Sequence, residues 1–92
     1  MSATIMTLIK PLPKQFVGRG EVKGYEFRQI SAPNWGFIYE VRYGKRKHYE
    51  VFQKRINARF GNVSYPTSKA FGKWAWSTPV LARAEEILRS LG

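Results

Sequence analysis

Nine consecutive residues, Trp35 to Tyr43, alternate between two kinds of side chain, and no other feature restricts the fold of this chain so much. Trp35, Phe37, Tyr39, Val41 and Tyr43 fall on one parity, while Gly36, Ile38, Glu40 and Arg42 fall on the other. A period of two marks a strand, because successive side chains point to opposite faces of a sheet. A strand needs a partner. Gly44 supplies the break after which Lys47 to Phe52 returns as the second arm of a hairpin. Tyr25 to Ile30 shows a similar half-buried alternation and reads as a further strand, closed by the turn Ser31-Ala32-Pro33-Asn34.

The loop at Gly44 decides which residues share a face. A two-residue Gly44-Lys45 loop pairs odd positions with even ones, setting Tyr39 beside Glu50 and Val41 beside His48. A bulged three-residue turn, with Gly44 as its left-handed residue, pairs odd with odd. Lys47, Tyr49 and Val51 then join the face of Phe37, Tyr39, Val41 and Tyr43. A one-residue slip moves a whole apolar set to the other face, so burial favours the odd-length loop. In that register Arg42, Arg46 and His48 point outward together, with Glu40 and Glu50 between them.

The flanks are read more coarsely. Thr4 to Ile9 is rich in β-branched residues and predicts a short strand that stops at Pro11 and Pro13. Lys14 to Gly24 reads as a loop; its glycines, at 18, 20 and 24, do not have the spacing of a dinucleotide-binding turn. Residues 53–62 admit a helical turn, with Ile56 and Phe60 four apart, or a strand extension through Gln53. Tyr65-Pro66-Thr67-Ser68 is a turn, and a short strand around Lys73 to Trp76 would put Trp74 and Trp76 on one face.

The C-terminus predicts a helix. Thr78 suits the N-cap, Pro79 the first helical position and Gly92 the stop. Val80, Leu81, Ala84, Ile87, Leu88 and Leu91 form one apolar stripe, with Glu85 and Arg89 paired on the wet side. A sheet this apolar needs a cover, and the helix is expected on its aromatic face. The expected fold is α+β: an antiparallel sheet of three to five strands with a C-terminal α-helix packed on one face.

At 92 residues the chain makes one domain, residues 1–92. Cysteine is absent, so neither a disulfide nor a thiolate metal site helps to hold it. Three Trp, five Tyr and six Phe must carry the packing instead. The 16 Lys and Arg outweigh 6 acids, all Glu, for a formal charge of +10. Such an excess concentrates and steers polyanions, which points to nucleic acid or to a partner exposing it.

The same inventory argues against catalysis. His48 is the single histidine and there is no aspartate, so no Ser-His-Asp, Cys-His or zinc constellation can be assembled. Glu40 and Glu50 lie among basic residues, where ion pairing is their ordinary role. A non-enzymatic binding protein is expected, with no cofactor, metal or small-molecule substrate. No window approaches the roughly 20 apolar residues of a membrane span. Met1 to Ile9 lacks a basic leader region, and the sequon Asn62-Val63-Ser64 has no secretion signal behind it. The expected compartment is the cytoplasm.

Eight of the eighteen residues from Arg42 to Arg59 are basic: Arg42, Lys45, Arg46, Lys47, His48, Lys54, Arg55 and Arg59. With Arg19 and Lys23 of the glycine-rich loop they form the expected binding surface. Arginine offers bidentate donors to phosphate and lysine a mobile charge. Tyr43 and Tyr49 flank the tip and are available to stack on a base, although core packing is the usual role of such rings. Lys69, Lys73 and Arg83 make a second, weaker basic group.

Residues 25–52 and the terminal helix resemble the arm-binding domain of tyrosine recombinases, in which a three-stranded sheet packed on one helix enters the major groove of DNA. The resemblance lies in Gly36-Phe37-Ile38-Tyr39-Glu40-Val41-Arg42-Tyr43-Gly44-Lys45-Arg46 and Ala84-Glu85-Glu86-Ile87-Leu88. The long insertion at 53–77 departs from that pattern, and no recombinase domain follows the helix. In size, basic character and lack of catalytic groups the chain is similar to small phage-encoded inhibitors of type I CRISPR surveillance complexes. That likeness is an overall one, with no motif to carry across. It implies docking on Cas proteins with their guide RNA in a bacterial host cytoplasm; the recombinase likeness implies a direct duplex-DNA reader.

Overall fold

In the computed structural model, which describes residues 11–57, 59 and 61–92, the alternating segment is the centre of a five-stranded antiparallel sheet. In chain order the strands are β1 (Gln15–Val17), β2 (Glu26–Ser31), β3 (Gly36–Tyr43), β4 (Arg46–Gln53), β5 (Ile56–Asn57), β6 (Asn62–Val63) and β7 (Ala75–Thr78). The sheet runs β1-β2-β3-β4-β7, and β5 and β6 pair separately as a small hairpin. Helix α1 (Leu81–Leu91) follows β7 and packs on β3, β4 and β7. The fold is therefore α+β, as its periodicities imply. The strand expected over Thr4 to Ile9 lies outside the described residues. No helix among those described is long and apolar enough to cross a membrane.

The hairpin register is the even one, contrary to expectation. Tyr39 pairs with Glu50, Val41 with His48 and Tyr43 with Arg46 across a two-residue Gly44-Lys45 loop. Gly44 has φ +60° and no described non-glycine residue has positive φ, the pattern of a type II′ turn with glycine first. The reason is that both faces of the hairpin are covered. All of Gly36 to Val41 is buried, so the choice of face by burial, which assumes one dry side, had no single answer.

One face carries the aromatic core. Phe27, Phe37, Tyr39, Val41 and Phe52 lie beneath Val63, Tyr65, Ala70 and Trp74 of the segment after β4. Tyr65 is its centre, with its ring edge-on to Phe16, Phe27, Tyr39 and Phe52 at centroid distances of 4.9–5.5 Å. Edge-to-face contacts of this kind add about 0.5–1.5 kcal/mol each beyond the area buried.

The helix lies on the opposite face, not on the aromatic one. Its buried Ala84 and Leu88 meet Ile38, Tyr49 and Val51, whose shared face follows from the even register. Gly36 permits the approach, because a Cβ there would stand 2.6 Å from the Phe52 carbonyl oxygen and 3.0 Å from Leu88 Cδ1. Trp76 pairs with Val51 on this side while Trp74 packs on Phe52 on the other, so the two tryptophans are divided.

The remaining departures are local. The helix begins two residues later than expected: Thr78 Oγ1 accepts from the Val80 N–H at 3.2 Å, a side-chain turn that places Val80 at the N-cap. Gly92 ends it, donating its N–H to the Arg89 carbonyl. The ion pair on the wet side joins Arg83 to Glu86 at 3.2 Å rather than Glu85 to Arg89. The glycine-rich stretch contains β1 and a 3-10 turn at Gly20–Val22. Of the two readings of 53–62, the strand extension through Gln53 holds, since β4 ends there, and β5 and β6 pair after it where a helical turn was the alternative.

Candidate nucleic-acid interface

The even register redistributes the charge. Arg42 and Lys47 are a cross-strand pair on the helix side, whereas Arg46 and His48 share the aromatic side with Tyr43 and Val41. The outward trio of Arg42, Arg46 and His48 is thus not one face. These residues still meet at one place, the end of the sheet that carries the Gly44-Lys45 turn. Glu26 pairs with Arg42, so the β1–β2 connection with Arg19 and Lys23 emerges at the same end.

Lys54 and Arg55 are elsewhere. With ~3.3 Å per strand residue, the eight residues of β4 put Arg46 and Lys54 about 26 Å apart. Lys54 bonds through its backbone N–H to the Trp35 carbonyl, at 2.9 Å. The Arg55 guanidinium stands 5.1 Å from the Trp74 ring centroid and donates to Gln53 Oε1 at 3.3 Å, so it is occupied in part by packing. Arg59 is exposed, with its N–H bonded to Asn57 Oδ1. The run from Arg42 to Arg59, continuous in sequence, is split between two ends of the molecule.

At the turn end, Lys45, Arg46 and Lys47 are exposed, and no ion pair among the described residues involves them. Arg42 is anchored: its Nε donates to Glu40 Oε1 at 2.7 Å, and Arg28 reaches the other oxygen of that carboxylate at 4.0 Å. Glu40 is buried, so it is a fixed acceptor that sets the direction of two half-exposed guanidinium groups. Arg28 was not among the residues expected here. Its place beside Glu40 depends on the β2–β3 register, which parity alone does not supply.

The aromatic side of this end holds a polar chain. His48 Nε2 lies 3.1 Å from Glu50 Oε2, and the Tyr65 hydroxyl donates to Glu50 Oε1 at 2.6 Å. Burial, then the Glu50 charge and the hydrogen bond to it, raise the Tyr65 pKa well above the ordinary phenol value. Burial likewise raises Tyr39, partly offset by the Gln29 hydrogen bond. Beside the chain is an open cleft of about 900 Å³ whose lining includes Arg19, Lys69, Thr67 and Glu50 above Phe16 and Phe27. Lys69 therefore shares a wall with Arg19, while Arg83 is paired on the helix.

The rings differ in availability. Tyr49 is buried under the helix, but Tyr43 is 53% exposed at the turn and stacks on Tyr25 with centroids 4.5 Å apart and planes at 26°. The sheet face opposite the helix, which in an arm-binding domain would enter a DNA groove, is filled by Val63, Tyr65, Ala70 and Trp74. The exposed cationic chemistry of this site is accordingly at the end of the sheet and not on that face. Comparisons with protein-family models, with curated proteins and with solved structures found no match to this chain.

Proposed function

We propose that the protein is a non-enzymatic binding module that docks on nucleic acid held in a larger complex, and that the turn end of its sheet makes the contact. The observation that carries this reading is the gathering of Arg19, Lys23, Arg42, Lys45, Arg46 and Lys47 around one end, where all six are exposed and all but Arg42 have no ion pair among the described residues. A CRISPR surveillance complex is the target that the likeness to phage-encoded inhibitors suggests, with Cas proteins and guide RNA as partners. Direct reading of duplex DNA through the sheet face is the weaker alternative, because Tyr65 and its neighbours occupy that face.

Affinity capture from a bacterial lysate, with and without nuclease, tests the reading. Capture of ribonucleoprotein that nuclease treatment abolishes is the expected result. Binding to free nucleic acid should be weaker and should fall steeply with salt, by about 0.7–0.9 in the log–log slope per phosphate contacted. A protein that neither shifts RNA or DNA at low salt nor captures any nucleic-acid-containing complex would overturn it.

A further inference from the structure

Among the described residues, Tyr43 is the one large ring that the turn end holds out to solvent. Its hydroxyl has no hydrogen-bond partner among the described residues, and more than half of the residue is exposed. It is nevertheless fixed in place. One side of the ring stacks on Tyr25, which is half-buried and packed against the aromatic core. An exposed ring whose inner side is already stacked is pre-ordered, so a base meeting its outer side need not bear the cost of immobilising it.

Cations flank that ring. Arg46 is its cross-strand partner on the same face, where paired Cβ atoms are ~4.5–5.5 Å apart. Lys45 is in the turn, and Lys23 is two residues before Tyr25. An aromatic surface bordered by mobile and forked cations is the arrangement that holds an unpaired base with its phosphates. A base inside a duplex has both π-faces covered by its neighbours, so this ring has nothing to stack on there without unstacking the helix.

We infer that Tyr43 stacks on an unpaired nucleobase while Lys23, Lys45 and Arg46 take the adjoining phosphates, so that the strand bound at this end is single-stranded RNA or DNA. This rests on the proposed nucleic-acid reading and narrows it to unpaired strands.

The test uses the full chain with fluorescent oligo(U) and oligo(dT) of about 15 nucleotides, and a duplex of the same length, at low salt. Tyr43→Ala should weaken both single strands by roughly 5- to 100-fold and the duplex by less than about twofold, since base stacking is lost and charge is not. Tyr43→Phe should bind single strands like the unaltered protein. Ultraviolet cross-linking of the unaltered protein to oligo(U) and oligo(dT) should map to the peptide containing Tyr43, a readout that does not depend on how well a variant folds. Equal losses on single strand and duplex, or cross-links confined to other peptides, would overturn stacking and leave the electrostatic reading standing. So would nuclease-sensitive capture of a ribonucleoprotein with no binding to free single strands. Absence of every one of these interactions would sink both readings. A preference for oligo(U) over oligo(dT), or the reverse, would identify which strand is held.

Discussion

Tyr65 joins the stability of this protein to its surface chemistry. Its ring fills the aromatic core while its hydroxyl holds Glu50, which in turn holds His48. Removing the hydroxyl leaves the packing and breaks one charge-assisted hydrogen bond, so Tyr65→Phe should cost about 1.5–3 kcal/mol in urea unfolding at neutral pH. The pH dependence has a definite sign. Tyr65 and Tyr39 both have folded pKa values above the unfolded phenol value near 10, so the native state keeps protons that the unfolded state releases. Their contribution is fully present below pH 10 and is lost as pH rises beyond it; for Tyr65 the loss approaches about 1.4 kcal/mol per pH unit. Tyr65→Phe should make that alkaline slope shallower. Unfolding free energies measured at neutral pH and near pH 11 check this, and an unchanged slope would contradict it.

At the scale of elements, the packing of the helix depends on Gly36. A methyl group there would press on the Phe52 carbonyl, which is backbone in the next strand, and on Leu88. Gly36→Ala should therefore destabilise by about 1–3 kcal/mol, seen as a lower urea midpoint with an unchanged denaturant slope. The strands β2, β3 and β4, the terminal helix and the α+β class were legible in the periodicities. The register was not, because the burial criterion presumes one wet face and β3 has none over Gly36 to Val41. The adjacent apolar residues Phe37-Ile38-Tyr39 and Val51-Phe52 are the signal of a strand covered on both sides. From that signal the even register and the helix on the Ile38 side would both follow. The Tyr65 cover was illegible for another reason: short strands and turns stabilised by distant rings leave no local period to read.

For the whole molecule, net charge and its placement are separate facts. A formal +10 says that polyanions are attracted, but the fold decides where. Ten residues were expected to form one surface. The sheet gathers Arg19, Lys23, Arg42, Lys45, Arg46 and Lys47 at its turn end, sets His48 into the Glu50–Tyr65 chain, and carries Lys54 and Arg55 to the far end, with Arg59 exposed between β5 and β6. Only knowledge of strand length and pairing separates the groups, since all but Arg19 and Lys23 fall within one stretch of eighteen residues.

That separation makes the central claim testable by comparing two variants of equal charge change per residue. Lys45→Glu with Arg46→Glu alters the turn end, and Lys54→Glu with Arg55→Glu alters the far end. Both are exposed sites, so the domain should stay folded. The nucleic acid co-purifying with each variant and with the unaltered protein is measured after capture from the same bacterial lysate. The turn-end variant should lose it by tenfold or more, on the order of 1.4 kcal/mol or above, while the far-end variant retains most of it. Equal losses from the two ends, or greater loss from the far end, would contradict the assignment of the contact to the turn end of the sheet.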